Sequence, residues 1–241
     1  MKKSLIVIPT KNEKENIALM IKSVLKNMPQ ATVLIVDDNS KDKTADEVRK
    51  FAKDKRVKLI VRKNRRGRGS AVLEGFKWGY IKNNYNYFFE MDADFSHDPK
   101  DLPKFLEKLK SGCDVVIGSR YLPESKIINW GLERKIFSKY ANIYAKFILK
   151  VPINDFTNGY RAYTKEVVED FLFRKMLTNG YIVLSEFVYI AHLKRKKIDQ
   201  IPIIFVNRTR GQSNLTIREI VYAIYGVLKL RYKRHELIKK K

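Results

Sequence analysis

Short apolar runs rich in valine and isoleucine alternate with helical patterns through the first half of the chain, and no other feature restricts the fold as strongly. Runs at 5–8, 33–36, 57–61, 87–91, 115–117 and 201–206 read as strands buried on both faces. Between the first five lie amphipathic stretches at roughly 14–28, 44–52, 70–82 and 101–110. Alternation at this spacing predicts an α/β architecture: a mostly parallel sheet with right-handed crossovers, flanked by helices. In open sheets of this kind ligands bind beyond the carboxyl ends of the strands, so the chemistry is sought there.

Composition limits what such a site can meet. The 241 residues carry 50 lysines and arginines against 26 aspartates and glutamates, a net charge of +24. Ten basic residues follow Asn207, opposed by Glu219 and Glu236 alone. A partner bearing phosphate is implied: nucleotide, nucleic acid or an anionic membrane surface. With 44% hydrophobic and 12% aromatic residues the chain is too apolar to be disordered. Cys113 is the single cysteine, which excludes an internal disulfide framework and suits a reducing compartment. No signal peptide is visible, and no run reaches the roughly 20 apolar residues of a spanning helix. Without repeats, low-complexity linkers or a Pro/Gly-rich hinge, the economical organisation is a single domain, a globular body over 1–215 with a basic helical tail over 216–241.

The strand ends are rich in carboxylates on a chain short of them. Strand one runs into Pro9-Thr10-Lys11-Asn12-Glu13, strand two into Asp37-Asp38-Asn39-Ser40, and strand four into Asp92-Ala93-Asp94-Phe95-Ser96-His97. Asp, Asn and Ser at one such end are ordinary turn and cap residues. Several ends on one sheet edge point instead to a site. An Asp-x-Asp pair has no specificity alone, but at a strand end the two side chains are expected to leave on the same side. Two hard oxygen ligands there suit Mg²⁺ or Mn²⁺ shared with substrate phosphates. Zinc is disfavoured, because three histidines and one cysteine lie scattered. Neither a dinucleotide-binding glycine fingerprint nor a P-loop is present, and Gly67-Arg68-Gly69 at a helix start is weak evidence of an anion site. Arg120, Arg134, Arg161, Arg208 and Arg210 fall in or beside turn-like segments, where arginine can grip phosphate bidentately.

The segments LIVIPTKNEKENI, VLIVDDNSKDKT, FFEMDADFSHDP, VVIGSRYLP, NWGLERKIFSKYAN, DFTNGYRAY and IPIIFVNRTRGQSNLT follow one another in that order. Together they resemble the dolichyl-phosphate (polyprenyl-phosphate) mannosyltransferases, inverting family 2 glycosyltransferases of GT-A (Rossmann-like) fold. The resemblance covers about residues 4–215. It implies that Pro9, Glu13, Val36 and Asp38 line the nucleotide pocket, that Asp92 and Ala93 contact the nucleotide, and that Asp94 and Ser96 hold the metal. It further implies that Arg208 reaches the donor diphosphate, while Arg120, Arg134 and Ser138 grip the lipid phosphate. Asp94 and Arg208 would then stabilise the leaving group. The expected reaction is metal-dependent transfer of mannose from GDP-mannose to a polyprenyl phosphate with inversion, and nucleic acid is not an expected partner. Three positions depart from the pattern: Lys11 for an aromatic, Lys41-Asp42-Lys43 for Pro-x-Gly, and Asn214 for a basic residue. Lys11 keeps UDP-glucose or another nucleotide sugar open as the alternative donor, and a nucleic-acid-binding protein is the distant alternative, resting on charge alone.

Two segments bear on the membrane. Residues 134–150 place Ile136, Phe137, Tyr140, Ile143, Tyr144, Phe147 and Ile148 on one helical stripe, with Lys135, Lys139, Lys146 and Lys150 largely off it. Periodicity alone favours a stripe turned to the protein core; a basic amphipathic helix equally suits a membrane interface. Residues 220–228 are uncharged and followed by Arg231, Lys233, Arg234 and 239–241, a basic cluster that anionic lipid attracts. The expectation is a cytoplasmic enzyme held peripherally on the inner face of the membrane by C-terminal basic amphipathic helices.

Overall fold

The structure, a computed structural model, describes residues 3–63, 67–82, 84–174, 176–178, 180, 182–207 and 217–238, with side chains in the last stretch from 222 onward. The first half alternates as expected: β1 (Ser4–Thr10), α1 (Lys14–Asn27), β2 (Thr32–Asp37), α2 (Thr44–Arg49), β3 (Val57–Val61), α3 (Arg68–Lys82), β4 (Tyr87–Glu90), α4 (Leu102–Lys110) and β5 (Val115–Ser119). The second half adds β6 (Lys126–Ile128), α5 (Leu132–Leu149), β7 (Arg161–Thr164), α6 (Lys165–Leu172), α7 (Ile182–Leu193), β8 (Ile198–Pro202), β9 (Ile204–Val206), α8 (Ile217–Tyr232) and α9 (Arg234–Ile238).

Seven strands form one sheet in the order β3-β2-β1-β4-β7-β5-β8. All its pairings are parallel except those of β7, which runs antiparallel to both β4 and β5. Both faces are covered, so the strands bury successive residues on opposite sides. Leu5, Val7, Leu34, Val36 and Phe88 pack beneath α3, α6 and α7. Ile6, Ile8, Val33, Ile35 and Phe89 pack beneath α1 and α4. Helix α3 lies close on β1, and Gly79 makes that possible: a Cβ there would run into Leu5 and stand 2.9 Å from the Phe88 ring.

The run at 201–206 is not one strand. β8 closes the large sheet beside β5, whereas β9 pairs with β6 in a separate two-stranded sheet. Pro202 has no amide to extend the ladder, and the chain changes sheets at Ile203. The β7 strand escaped notice because its sequence, Arg161-Ala162-Tyr163-Thr164, has no apolar run. Arg161 is wholly buried there, donating to the carbonyls of Asn158 (2.7 Å), Phe156 (2.7 Å) and Leu184. It is a structural arginine and not a phosphate-binding candidate.

The apolar stripe of α5 also differs from the core-facing expectation. Asn142, Ala145 and Leu149 face inward, while Leu132, Ile136, Tyr140, Ile143 and Phe147 face out, Phe147 being 78% exposed. Tyr222, Ile224, Tyr225, Leu228 and Tyr232 of α8 are exposed as well, and Tyr144 Oη donates to Ile224 O at 3.2 Å, so the two helices are neighbours. Val227, Leu230 and Leu237 anchor α8 and α9 to the body. No helix among the described residues is long and apolar enough to cross a membrane.

Candidate active site

The loops after β1 and β2 are laced together at the carboxyl edge. Asp37 is buried and accepts from Thr10 Oγ1 (2.9 Å), Ser40 N (2.8 Å) and Ser40 Oγ (2.6 Å), so its carboxylate is used in holding the edge. Asn12 N donates to Ser40 Oγ, Glu13 N to Thr44 Oγ1 and Lys14 N to Asp42 Oδ2, each at 2.9 Å. In the Lys41-Asp42-Lys43 turn Lys43 takes a left-handed conformation (φ 69°). Asp42 caps the following helix through Thr44. Partial burial would raise the Asp42 carboxyl, but these hydrogen bonds hold it below the usual range. Lys11 does not replace an aromatic by stacking. Its ammonium donates to the carbonyls of Asp38 (2.6 Å) and Asn39 (3.1 Å).

Of the residues expected at the nucleotide, Asp38 is pinned by Arg62 Nε (2.6 Å) and by the Gly67 amide (2.7 Å). Glu13 precedes α1 and accepts from Asn16 Nδ2 at 2.9 Å. Pro9 is half-buried. Val36 is fully buried beneath α3 and Ala93 nearly so, which leaves main-chain atoms as their means of touching a ligand.

Asp92 and Asp94 do not act as a matched pair. β4 ends at Glu90, so both lie in the following loop and strand alternation no longer sets their direction. Asp92 Oδ1 accepts from Arg68 Nε (2.7 Å), whose Nη1 also reaches the buried Glu90 (2.7 Å) and whose Nη2 reaches Gly159 O (2.8 Å). Burial alone would lower the Arg68 pKa; the Asp92 and Glu90 carboxylates overcome this and raise it. Asp94 accepts instead from Ser96 N (3.1 Å) and Ser96 Oγ, with Phe95 left-handed between them. His97, missed in the sequence as a working residue, is buried behind this loop. Its Nδ1 accepts from Asp92 N (3.0 Å) and its Nε2 meets Asn158 Oδ1 (2.8 Å), so Nε2 carries the proton. Burial lowers its pKa despite the Asp92 and Asp94 charges nearby, and the ring stacks on Tyr160 at 4.9 Å.

Among the described residues no three His, Cys, Asp or Glu side chains converge as a metal cage. Asp94 and Ser96 nevertheless supply the hard oxygens that suit Mg²⁺ or Mn²⁺, an ion that takes one or two carboxylates and completes its shell with phosphate and water. The donor set fits such an ion.

At the end of β5 Arg120 is already bound in a bidentate pair with Asp155: Nε to Oδ2 and Nη2 to Oδ1, both 2.8 Å. Burial would raise the Asp155 carboxyl, but Arg120 holds it below the usual range. The guanidinium also lies 5.2 Å from the Trp130 ring and 5.4 Å from Phe205. Arg134, from the first turn of α5, stacks on Trp130 at 4.2 Å and donates to Asn207 Oδ1 at 3.3 Å. Ser138, one turn later, accepts from Tyr121 Oη at 2.6 Å. Arg120, Arg134 and Ser138 thus gather around Trp130 and Tyr121 as one cluster. Asp155 belongs to it, and Asn158 N donates to Asp155 Oδ1 at 3.0 Å; both lie in the DFTNGYRAY segment, which marks the family without giving either residue a role. Arg208, Arg210 and Asn214 lie outside the described residues.

Residues 5–172 match glycosyl transferase family 2. The chain belongs to this family. It is a glycosyltransferase of GT-A fold. It is 38% identical to the polyprenol monophosphomannose synthase of Mycolicibacterium smegmatis over 93% of this chain and 85% of that one. It is 35% identical to the undecaprenyl-phosphate mannosyltransferase of Micrococcus luteus over 88% and 87%. A dolichol-phosphate mannosyltransferase of Pyrococcus furiosus is also 35% identical over 93% of this chain, which spans 63% of that longer protein. Among solved structures, glucosyl-3-phosphoglycerate synthase of Mycobacterium tuberculosis, captured with Mn²⁺, UDP and phosphoglyceric acid, superposes with a TM-score of 0.67. At 16% identity over 95% of this chain and 78% of that one, this likeness concerns the fold.

Proposed function

We propose that this glycosyltransferase moves mannose from GDP-mannose to a polyprenyl phosphate, with inversion at the anomeric carbon, at the surface of a membrane. The observation that carries the reading is an acceptor edge that, among the described residues, is arginine-rich and base-poor. Around Arg120, Arg134 and Ser138 the nearby imidazole, His97, is buried and bonded at both nitrogens, and the Asp155 carboxylate is taken by Arg120. A hydroxyl acceptor would need a general base. A phosphate monoester, with a second pKa of about 6, is already the nucleophile at neutral pH and needs only to be held. Its oxygen attacks the anomeric carbon as the bond to the donor diphosphate breaks, and negative charge gathers on that diphosphate.

On the donor side Asp94 and Ser96 would hold Mg²⁺ or Mn²⁺. Such an ion supplies Lewis-acid stabilisation of the leaving diphosphate. Arg208 is assigned to the same group, Asp92 and the Ala93 main chain to the nucleotide, and Pro9, Glu13, Val36 and Asp38 to the pocket around it. The catalytic unit is taken as 1–215. The exposed apolar faces of α5 and α8, with Lys135, Lys139 and Lys146 beside the first, suit insertion among anionic headgroups. The tail over 216–241 would therefore hold the enzyme peripherally on the cytoplasmic face. A second donor, UDP-glucose, is kept by one observation: Lys11, where the family pattern has an aromatic, has no ring to offer a base and is fastened to backbone carbonyls.

The test is transfer of labelled sugar to a short polyprenyl phosphate with Mn²⁺ present. GDP-mannose is expected to be turned over and UDP-glucose not, and Asp94→Ala to lose at least about a hundredfold in kcat. No turnover of GDP-mannose refutes the donor assignment. Activity of Asp94→Ala equal to wild type refutes the metal assignment.

A further inference from the structure

The turn 155–159 touches both halves of the active-site edge. On one side Asp155 fixes the guanidinium of Arg120 through two 2.8 Å bonds and also accepts from the Arg120 amide at 3.0 Å. On the other, the turn reaches Asp92 by two routes. Asn158 Oδ1 accepts from His97 Nε2, and His97 Nδ1 accepts from the Asp92 amide. Gly159 O accepts from Arg68, which in turn donates to the Asp92 carboxylate. The turn itself is closed by Asn158 N donating to Asp155 Oδ1 at 3.0 Å, and Asn158 Nδ2 donates to Gly118 O on β5. Asp155, Asn158 and His97 are all buried, so water does not replace these bonds.

We propose that His97, Asn158 and Asp155 are positioning residues that set the spacing between the donor loop at 92–96 and the acceptor arginine, Arg120. None of the three touches the reacting atoms. They act through Asp92 and Arg120, as a rigid link between two loops that share no strand pairing. The role rests on the functional reading above only for the identities of the two substrates; the link itself joins the two halves of any glycosyl transfer at this edge.

The experiment compares full-length wild type with His97→Phe, His97→Gln, Asn158→Ala and His97→Phe/Asn158→Ala. Thermal unfolding, nucleotide binding with Mn²⁺ by calorimetry, and kcat and KM for donor and acceptor are measured on each. Misplacing reactants by an ångström costs up to about a hundredfold, so kcat is expected to fall about 10- to 100-fold in His97→Phe and in Asn158→Ala. Both KM values and the nucleotide affinity should stay within about threefold of wild type, since no group assigned to either substrate is itself replaced. Glutamine places an acceptor and a donor much as the neutral imidazole does, so His97→Gln should recover most of kcat. The double variant should be no slower than the slower single one, because both break the same link. Unchanged kcat in folded His97→Phe overturns the proposal, as do additive losses or a folded His97→Gln no better than His97→Phe. Should His97→Phe fail to fold, Asn158→Ala, which leaves the stacked ring in place, decides by the same criterion. If wild type does not use GDP-mannose, the functional reading fails, and the same variants are compared on the nucleotide sugar that it does use.

Discussion

Replacing Arg68 by methionine keeps most of the side-chain volume and strands a buried charge. Glu90 is fully buried, and among the described residues its carboxylate is met by Arg68 Nη1 and by Tyr163 Oη, each at 2.7 Å. At that distance and an effective dielectric of about 20 the gross attraction is about 6 kcal/mol, most of it set against desolvation. What the variant loses is compensation for Glu90, and removing one partner of a buried pair costs about 3–5 kcal/mol. The bond to Asp92, a carboxylate one-third exposed, adds no more than about 1 kcal/mol because water can take its place. The total is about 3–6 kcal/mol, which for a chain of this size lowers Tm by about 6–24 °C. Urea unfolding followed by tryptophan fluorescence reads it directly. Adding Glu90→Gln removes the stranded charge, so the double variant should be more stable than Arg68→Met, with a coupling of about 2 kcal/mol or more. Arg68→Met within about 1 kcal/mol of wild type, or a coupling near zero, would refute the argument.

Three further outcomes are expected. A Cβ at Gly159 would fall on the Arg68 guanidinium, so Gly159→Ala should expel that side chain and destabilise by several kcal/mol, with Gly159→Ala/Arg68→Met no worse than the worse single variant in the same urea assay. Asp155 is depressed in the folded state, so its contribution is fully present above the unfolded value of about 3.9 and is lost as pH falls through the lower folded value. The stability gap between wild type and Asp155→Asn should therefore be flat from about pH 5 to 8 and narrow below about pH 4, as followed by chemical denaturation; a gap that widens in acid contradicts the pairing. Glutamate at Tyr140 and Phe147, both well exposed on α5, should abolish salt-sensitive flotation with anionic liposomes while leaving Tm within about 2 °C, since surface changes away from packed features are nearly neutral.

The sheet was legible because its strands, buried on both faces, leave unbroken apolar runs, and parallel topology pointed to the candidate site at their carboxyl ends. Residue chemistry was less so. Asp92-x-Asp94 was visible, but that Arg68 takes the first and Ser96 caps the second depends on where β4 stops and where α3 places its first turn. Arg120 read as a free cation because its partner, Asp155, is 35 residues away, in the turn before an antiparallel strand whose sequence has no apolar signature. Arg161, alike in sequence context, is wholly interior. His97 lay in plain sight beside the acidic loop, yet its two hydrogen bonds require Asn158, which no local pattern supplies. Periodicity located α5 but not which way its stripe faces. The polar Asn142, donating its side-chain amide to Ser138 O and accepting from the Phe156 amide, turns inward with Ala145 and Leu149.

The antiparallel β7 also acts as a spacer. In a sheet where β4 and β5 were neighbours, their ends would stand about 4.8 Å apart, too close for anything but the strands themselves. With β7 between them the two strands run two strand widths apart, about 9.6 Å across the sheet, a spacing on the scale of one pyranose ring with an oxygen on either side. For the proposed reaction the width of the sheet is then a ruler: a leaving diphosphate at one strand end and an incoming phosphate at the other face each other across a single sugar.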